Sequence, residues 1–319
     1  MNNVIRDVAV IGLGTMGSGI AQVFAAAGFN VRCFDEVADA LSALPSRIEA
    51  NLKQMSDAGL DAREPIPQIL QRIHLAKSEH DAVANAQFVV EAVREDLQTK
   101  RDLFARLEAT TSPDTILATN TSSLRLADMS DHLVRRDRLL VTHWFNPPHI
   151  VPLVEVVPGP DTSTPAMDTT MALMSRIGKR PVRLSREIPG FIVNRVQVAM
   201  LREVWHLYEQ GIASAEDIDE AIRGSMGFRL AASGPLEIND FGGLDIWKSV
   251  YENLAPKIAS DSRLPEFLRK KVESGHLGAK TGSGIYEYTK ESLEERRAER
   301  DRRFLQLAKL FYSETSDNV

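Results

Sequence analysis

The chain has 319 residues, 43% of them hydrophobic and 26% charged, and its formal net charge is −6. These values describe a globular protein with room for two domains, and they exclude disordered and fibrous classes. Because positive charge is not in excess, the composition argues against nucleic acid as a partner. The sequence has no apolar run near the ~18 residues of a membrane-spanning helix and no secretory signal pattern. It therefore predicts a cytoplasmic protein without a membrane partner.

The first predicted strand, Asp7 to Ile11, is a short apolar run of the kind that is buried in a parallel sheet. A G-x-G-x-x-G turn follows it, and a helical pattern follows the turn. Gly12 allows a tight turn, Gly14 lets the backbone approach a pyrophosphate, and Gly17 lets the helix pack closely on the strand. The free N–H groups at the helix start bind phosphate. The sequence thus predicts a dinucleotide site formed by Gly12, Leu13, Gly14, Thr15, Met16 and Gly17.

A second strand, Asn30 to Phe34, leads to an acidic residue, Asp35, 18 positions after Gly17. This spacing is typical of the carboxylate that binds the adenine ribose hydroxyls. Glu36 follows and no arginine is adjacent, so a 2′-phosphate would be repelled and NAD is predicted rather than NADP. The single cysteine, Cys33, lies inside this strand, and the sequence predicts neither a disulfide nor a metal site.

Strand and helix patterns alternate up to residue 123. The predicted elements are one long helix from Val37 to Gly59, a short helix from Pro65 to Gln71, strands at Ile73–Leu75 and Phe88–Glu91, a helix from Leu97 to Leu107, and a strand at Thr115–Thr119. This alternation predicts a doubly wound, mostly parallel α/β sheet, in which ligands bind beyond the carboxyl ends of the strands. The groups predicted at those ends are Gly12 to Gly17, Asp35, Glu95, Ser122 and His143.

The stretch from Leu139 to Pro158 carries an ionisable pair. A hydrophobic strand leads to His143, the chain turns at Asn146–Pro148, and a second apolar strand carries Glu155. A carboxylate beside an imidazole holds it in one tautomer and stabilises the charge that it acquires on accepting a proton. The pattern therefore predicts His143 as a general base with Glu155 as its orienting partner. The alternative is a purely structural ion pair.

The second half of the chain is mainly helical. A helix capped by Thr164 is predicted to run to Ile177, and a last strand covers Pro181–Leu184. After Pro189 a long apolar helix extends to Gly211 and contains the polar Asn194. A buried asparagine needs a hydrogen-bond partner, so Asn194 is a candidate either for ligand contact or for a structural contact between domains.

We place the domain boundary near residue 187, which predicts an α/β domain over residues 1–187 and an all-α domain over residues 188–319. The segment Gly275–Tyr288 is rich in glycine but lacks the G-x-x-x-x-G-K-[ST] pattern, so an ordered surface loop is predicted. The mixed charges of Lys290–Phe311 predict a solvated helix with a modest apolar stripe near its C-terminal end.

Six segments, in their order and spacing, resemble the 3-hydroxyacyl-CoA dehydrogenase family, and the resemblance covers nearly the whole chain. The segments are GLGTMGSGIA, VEAVREDLQTK, ATNTSSL, HWFNPPHIVPLVEVVPG, IPGFIVNR and GHLGAKTGSGIYEY. The resemblance implies a Rossmann domain followed by a helical domain that commonly forms a dimer interface, hence a homodimer. It also implies NAD-dependent oxidation of the 3-hydroxyl of an L-3-hydroxyacyl-CoA, a reaction of fatty acid metabolism.

The resemblance further implies residue roles. His143 corresponds to the general base and Glu155 to its partner, and Ser122 and Asn194 correspond to groups that hydrogen-bond the reacting oxygen or hold the substrate. The predicted catalytic group is therefore His143, Glu155, Ser122 and Asn194. The predicted cofactor contacts beyond the glycine turn are Asp35, Glu95, Lys100 and Asn120.

Two segments depart from the pattern of members that use coenzyme A. The helix after Asp35 places Ala58 where those members carry a coenzyme-binding lysine, although Asn51 is retained and Arg47 or Lys53 could substitute. The HWFNPPH segment is more similar to a branch that acts on free hydroxy acids or hydroxymethyl-type alcohols. One example is the dehydrogenase of vitamin B6 breakdown that oxidises a pyridine carboxaldehyde. The additional His149 of this segment is a candidate for contact with a substrate carboxylate.

Three alternatives follow. The first is the same chemistry on a free hydroxy acid or aldehyde. The second is the group of 6-phosphogluconate dehydrogenase, whose glycine turn looks similar but whose catalytic lysine on the first inter-domain helix has no counterpart near Asn194. The third is a non-catalytic, crystallin-like NADH-binding protein. The intact set of Ser122, His143, Glu155 and Asn194 argues against the third alternative.

Overall fold

The computed structural model describes residues 5–313. The chain divides into two compact units, one of Met1–Phe191 with Arg302–Val319 and the other of Ile192–Asp301. The first unit ends at Phe191, a few residues after the predicted boundary near residue 187. It also includes the C-terminal segment, which was predicted to belong to the helical domain. Among the helices of residues 5–313, none combines the length and the apolar character that crossing a membrane would require.

The first unit is built on an eight-stranded sheet. Its strands are β1 (Asp7–Ile11), β2 (Asn30–Phe34), β3 (Ile73–Leu75), β4 (Phe88–Glu91), β5 (Ile116–Thr119), β6 (Leu139–Trp144), β7 (Leu153–Pro158) and β8 (Arg180–Arg183). They lie in the order β3-β2-β1-β4-β5-β6-β7-β8, and β6 and β7 are the antiparallel neighbours in an otherwise parallel sheet. Strand order reverses direction at β1, which opens a crevice at the carboxyl ends of β1 and β4. The predicted α/β fold is confirmed.

Helices cover both faces of the sheet. They are α1 (Thr15–Ala26), α2 (Ala38–Ser42), α3 (Leu44–Asp57), α4 (Ile66–Gln71), α5 (Glu79–Val83), α6 (Leu97–Thr110), α7 (Leu126–Ser130) and α8 (Thr164–Arg176). Successive strand residues point to opposite faces. Val10 accordingly packs in the core that contains Phe24 of α1, whereas Ile11 packs in the core that contains Leu103 of α6. The sheet is therefore doubly wound.

Local details correct three expectations. The predicted helix Val37–Gly59 is interrupted at Ala43, because Pro45 lies in the first turn of α3 and has no N–H with which to continue a preceding helix. The N-cap of α8 is Ser163 rather than Thr164, since its hydroxyl accepts from the Ala166 N–H at 3.3 Å. The helices α5 and α7 were not predicted, because five residues are too few to display a helical period.

The second unit is helical, with α9 (Val193–Glu209), α10 (Ala215–Ala221), α11 (Phe228–Leu230), α12 (Pro235–Gly242), α13 (Leu244–Leu254) and α14 (Glu266–Glu273), and with a π-helical segment at Ile222–Gly227. Within Ile192–Asp301, Ile218 is the one fully buried hydrophobic side chain. Large apolar side chains such as Phe228, Leu236 and Phe241 are at least 76% exposed. The homodimer stays a prediction, and these side chains are the surface that a second copy would cover.

The last helix, α15 (Lys290–Ser313), explains why the C-terminal segment belongs to the first unit. The apolar stripe predicted near the C-terminal end of this helix is packed against other residues rather than exposed to solvent. Leu305 and Ala308 are buried with Ile150, and Met55 and Ala58 pack against this cluster. The chain thus returns to the sheet domain after the helical unit.

Candidate active site

The glycine turn between β1 and α1 has the shape that a dinucleotide requires. Gly12 has φ +91°, and a side chain there would lie 2.6 Å from the backbone of Ala92. A side chain at Gly17 would collide with the Gly12 carbonyl oxygen, whereas Gly14 faces open space, with no other atom within 4 Å of an added Cβ. The first N–H groups of α1 have no intrahelical acceptor. The turn therefore fits a pyrophosphate group against the start of α1.

Asp35, at the end of β2, supports this turn directly. One carboxylate oxygen accepts from the Leu13 N–H at 2.6 Å, and the other accepts from the Val37 N–H at 2.8 Å. Arg47 of α3 donates to the Leu13 carbonyl oxygen at 3.0 Å. Each carboxylate oxygen of Asp35 has a second lone pair, so a ribose hydroxyl is still able to donate to it.

His143 and Glu155 form a close pair across the antiparallel β6–β7 ladder. They are directly opposite partners in the register, and His143 Nδ1 lies 2.7 Å from Glu155 Oε2. Glu155 is fully buried and His143 is 5% exposed. When Nδ1–H donates to the carboxylate, the lone pair of the neutral ring is on Nε2. The pair therefore has the geometry of an oriented base.

Two phenyl rings enclose the imidazole. The ring centre of Phe145 lies 4.5 Å from that of His143, and the ring centre of Phe191 lies 5.3 Å from it. Phe191 has φ +49°, a left-handed conformation that is uncommon for a bulky residue. Such strain often marks functional sites, where the surrounding structure holds the residue in place.

A buried ionic network lies at the carboxyl ends of β4 and β5. Lys100 of α6 donates to both carboxylate oxygens of Glu91, at 2.6 and 2.8 Å. The Thr119 hydroxyl and the Val93 N–H donate to the same carboxylate. Burial raises the pKa of Glu91 above its ordinary value, while Lys100 and these hydrogen bonds oppose the rise. Lys100 is only 1% exposed, and its predicted cofactor contact stays a prediction.

Glu95 extends this network to the loop after β5. Lys100 Nζ lies 3.3 Å from Glu95 Oε2, and Glu95 Oε1 accepts from the Thr121 hydroxyl at 2.5 Å and from the Ser122 N–H at 3.1 Å. Partial burial alone would raise the pKa of Glu95, but the Thr121 hydroxyl and Lys100 hold that pKa below its ordinary value. Glu95 therefore fixes the loop that carries Ser122.

Asn120 connects the ends of β5 and β6. Its Oδ1 accepts from the Trp144 N–H at 2.9 Å, and its own N–H donates to the Glu91 carbonyl oxygen at 2.8 Å. Trp144 directly follows His143, so Asn120 helps to hold the strand end that carries His143. Its predicted contact with the cofactor stays a prediction.

The structure brings most of the predicted residues to one edge of the sheet. The groups that follow or end its strands there are the glycine turn, Asp35, Glu95, Asn120, Ser122 and His143. Asn194 lies in the second unit, half-buried in the first turn of α9, and its predicted role stays a prediction. The sequence analysis did not identify Glu91 as a site residue. The one signal for it was its position, because it is a carboxylate at the end of the apolar strand β4. No cluster of metal-binding side chains occurs within residues 5–313.

The polar residues considered for coenzyme A have local partners. Asn51 donates to the Gln22 side chain at 3.0 Å, and Lys53 pairs with Asp57 at 3.2 Å. His149, the candidate for contact with a substrate carboxylate, is half-buried against α1, where a side chain at Gly19 would lie 3.2 Å from its Nδ1, and its predicted contact stays a prediction.

A glycine turn on a doubly wound sheet, an acid after the second strand and a histidine–glutamate pair define a dinucleotide-dependent oxidoreductase. The family model for the NAD binding domain of 3-hydroxyacyl-CoA dehydrogenase matches residues 7–188, and the model for the C-terminal domain matches residues 190–288. The chain belongs to the 3-hydroxyacyl-CoA dehydrogenase family. It is an NAD-dependent oxidoreductase that acts on CH–OH groups.

Individual relatives cover nearly the whole chain. It is 32% identical to 5-formyl-3-hydroxy-2-methylpyridine 4-carboxylate 5-dehydrogenase of Mesorhizobium japonicum, over 96% of this chain and 98% of that protein. A solved structure of such a dehydrogenase, an NAD+-dependent dismutase, has a TM-score of 0.91 at 31% identity and covers 97% of this chain and 99% of its own. A 3-hydroxybutyryl-CoA dehydrogenase from Ralstonia eutropha has a TM-score of 0.74 at 32% identity and covers 90% of this chain and 100% of its own.

Proposed function

We propose that His143 is the general base of an alcohol oxidation and that Glu155 is its orienting partner. The observation that carries the proposal is the 2.7 Å contact between His143 Nδ1 and Glu155 Oε2 inside the sheet. Nε2 accepts the proton of the substrate hydroxyl, and the buried carboxylate stabilises the imidazolium that forms. Bound NAD would accept the hydride from the carbon that carries this hydroxyl.

Other residues of the chain position the reacting groups. Ser122, held by Glu95, is proposed to hydrogen-bond the reacting oxygen, and Asn194 is proposed to hold the substrate. Phe145 and Phe191 keep the imidazole away from bulk water, because His143 is only 5% exposed between their rings. A drier site strengthens the interaction between the imidazolium and Glu155.

We further propose that the substrate is a free hydroxymethyl compound, or an aldehyde that reacts as its hydrate, rather than a coenzyme A thioester. In members that use coenzyme A, the resemblance implies contact between the coenzyme and the helix that corresponds to α3. Here the end of that helix is covered, since Met55 and Ala58 pack against Leu305 and Ala308 of α15. The oxidation of an L-3-hydroxyacyl-CoA, which the sequence favours, remains the alternative.

The comparison structures support the same choice. The pyridine carboxylate dehydrogenase structure has a TM-score of 0.91 with this chain, whereas the 3-hydroxybutyryl-CoA dehydrogenase has a TM-score of 0.74. The family models end at residue 288, so they leave α15 unmatched. A C-terminal helix that packs against α3 therefore lies outside the matched family domains.

A substrate panel tests the proposal. The purified protein with NAD is given L-3-hydroxybutyryl-CoA, free L-3-hydroxybutyrate, and a set of hydroxymethyl and formyl pyridine carboxylates, and NADH formation is followed by absorbance. We expect kcat/KM for at least one free compound to exceed that for the thioester by a factor on the order of 10². Efficient turnover of the thioester alone would contradict this choice. NADH binding without turnover of any compound would favour the non-catalytic alternative.

The ribose contact of Asp35 is tested by cofactor preference. Replacing Asp35 with alanine removes the charge that repels a 2′-phosphate, so we expect the preference for NAD over NADP to fall about tenfold, or ~1.4 kcal/mol. The measurement is kcat/KM for each cofactor, with Glu49→Ala, at an exposed acid of α3, as the matched control. An equal loss with both cofactors would show that Asp35 supports only the glycine turn.

A further inference from the structure

Lys179 is a buried cation outside the residues discussed so far. It directly precedes β8, and its side chain is 4% exposed. Nζ donates to the carbonyl oxygens of Pro148 and Val151, at 2.7 and 2.8 Å, and lies 3.3 Å from the hydroxyl oxygen of Tyr312. Burial lowers the pKa of Lys179 to about 7. A lysine is rarely placed in such surroundings unless its donors are used.

The acceptors of Lys179 belong to residues 145–152, the loop that joins β6 to β7. Tyr312, on α15, also donates to the Ile150 carbonyl oxygen of this loop, at 3.2 Å. On its other side the loop packs against α1, where a side chain at Gly19 would lie 2.6 Å from Pro148. The loop is therefore held between α1, the start of β8 and α15.

This loop and the His143–Glu155 pair are held by different forces. The pair is aligned by the β6–β7 ladder, whose register places the two residues directly opposite each other. The loop has no such ladder, and Lys179 and Tyr312 bind three of its carbonyl groups, those of Pro148, Ile150 and Val151. The loop leaves β6 at the carboxyl end of that strand, and the ring centre of its Phe145 lies 4.5 Å from that of His143, so the loop lies beside the reacting base.

We propose that Lys179 and Tyr312 are positioning residues that fix the loop 145–152 as the substrate-recognition wall of the active site. This inference rests on the proposed function, because it requires His143 to be the reacting base. We call the contacts of Lys179 and Tyr312 with this loop the clamp. Substrate affinity should depend on the clamp, whereas proton transfer and NAD binding should not. The C-terminal helix is then part of substrate recognition although it carries no reacting group.

The test uses Lys179→Met, which retains most of the length of the side chain and removes its ammonium donors. With the best free compound of the panel we expect KM to rise about tenfold, kcat to change less than about threefold, and the NAD dissociation constant to remain unchanged. Tyr312→Phe removes a single hydroxyl and should raise KM about threefold. The control is Lys290→Met, which changes an exposed lysine of α15, the helix that carries Tyr312. It should leave KM, kcat and the NAD dissociation constant unchanged.

Each result decides between the hypotheses. Unchanged KM in Lys179→Met and Tyr312→Phe overturns the inference while leaving the proposed function intact. A fall in kcat at constant KM also overturns it, because the clamp would then act on the base. If Lys179→Met does not fold, the KM of Tyr312→Phe decides alone. Wild-type protein that oxidises none of the compounds overturns the proposed function, and this inference with it.

Discussion

Replacing His143 by glutamine is expected to lower kcat by a factor on the order of 10² to 10⁴. The glutamine amide is able to donate to Glu155, but it has no basic nitrogen that accepts a proton. NADH affinity should stay close to the wild-type value, since the glycine turn and Asp35 make no contact with this side chain in the described structure. The measurements are steady-state kinetics and NADH fluorescence titration.

The matched control for this variant is His74→Gln, which changes an exposed histidine on β3. It should leave turnover and NADH affinity unchanged. Equal losses of turnover and NADH affinity in His143→Gln would contradict the assignment and would favour a structural ion pair. Turnover that survives in His143→Gln would remove His143 from the mechanism altogether.

The second large effect is expected from Lys100→Met. This change removes the cation and leaves the Glu91 carboxylate buried without its ionic partner. Breaking a buried pair in this way typically costs about 3–5 kcal/mol in the free energy of unfolding. The measurement is urea unfolding of the variant and the wild type, followed by circular dichroism. Lys53→Met is the control, because its pair with Asp57 is exposed and should contribute little.

The loss of stability in Lys100→Met should depend on pH. Burial already raises the pKa of Glu91 above 4.5 in the wild type, and removal of Lys100 raises it further because the opposing charge is gone. A folded-state pKa above the unfolded value means that stability falls as pH rises through the interval between them. The deficit should therefore be small near pH 4.5 and larger at about pH 8. A deficit independent of pH would show that packing, rather than the Glu91 charge, is responsible.

Local patterns were sufficient to predict the elements that the site uses. The glycine turn lies between β1 and α1 as expected, and His143 and Glu155 lie on adjacent strands within hydrogen-bonding distance. Such predictions succeed because a parallel sheet places the ends of its strands along one edge. Residues that terminate successive strands therefore meet even when they are distant in sequence.

Partners that depend on tertiary packing were not predictable in this way. The sequence did not indicate that Lys100, predicted as a cofactor contact, and Lys179 are buried, because lysine is almost never fully buried without a partner. Their acceptors, Glu91 and the carbonyl groups of residues 148 and 151, become neighbours only after folding. Burial in the second unit was not predictable either, since the helix after Pro189 is apolar in sequence but α9 contains no buried residue.

The antiparallel step between β6 and β7 also bears on how enzymes of this architecture diverge. The histidine and its carboxylate face each other on one rung of the sheet, and a shift of one residue would turn the carboxylate to the opposite face. The loop between the two strands is free of that constraint. If the proposed function holds, changes in the loop and the C-terminal helix are expected to alter substrate choice while the His143–Glu155 pair stays in place.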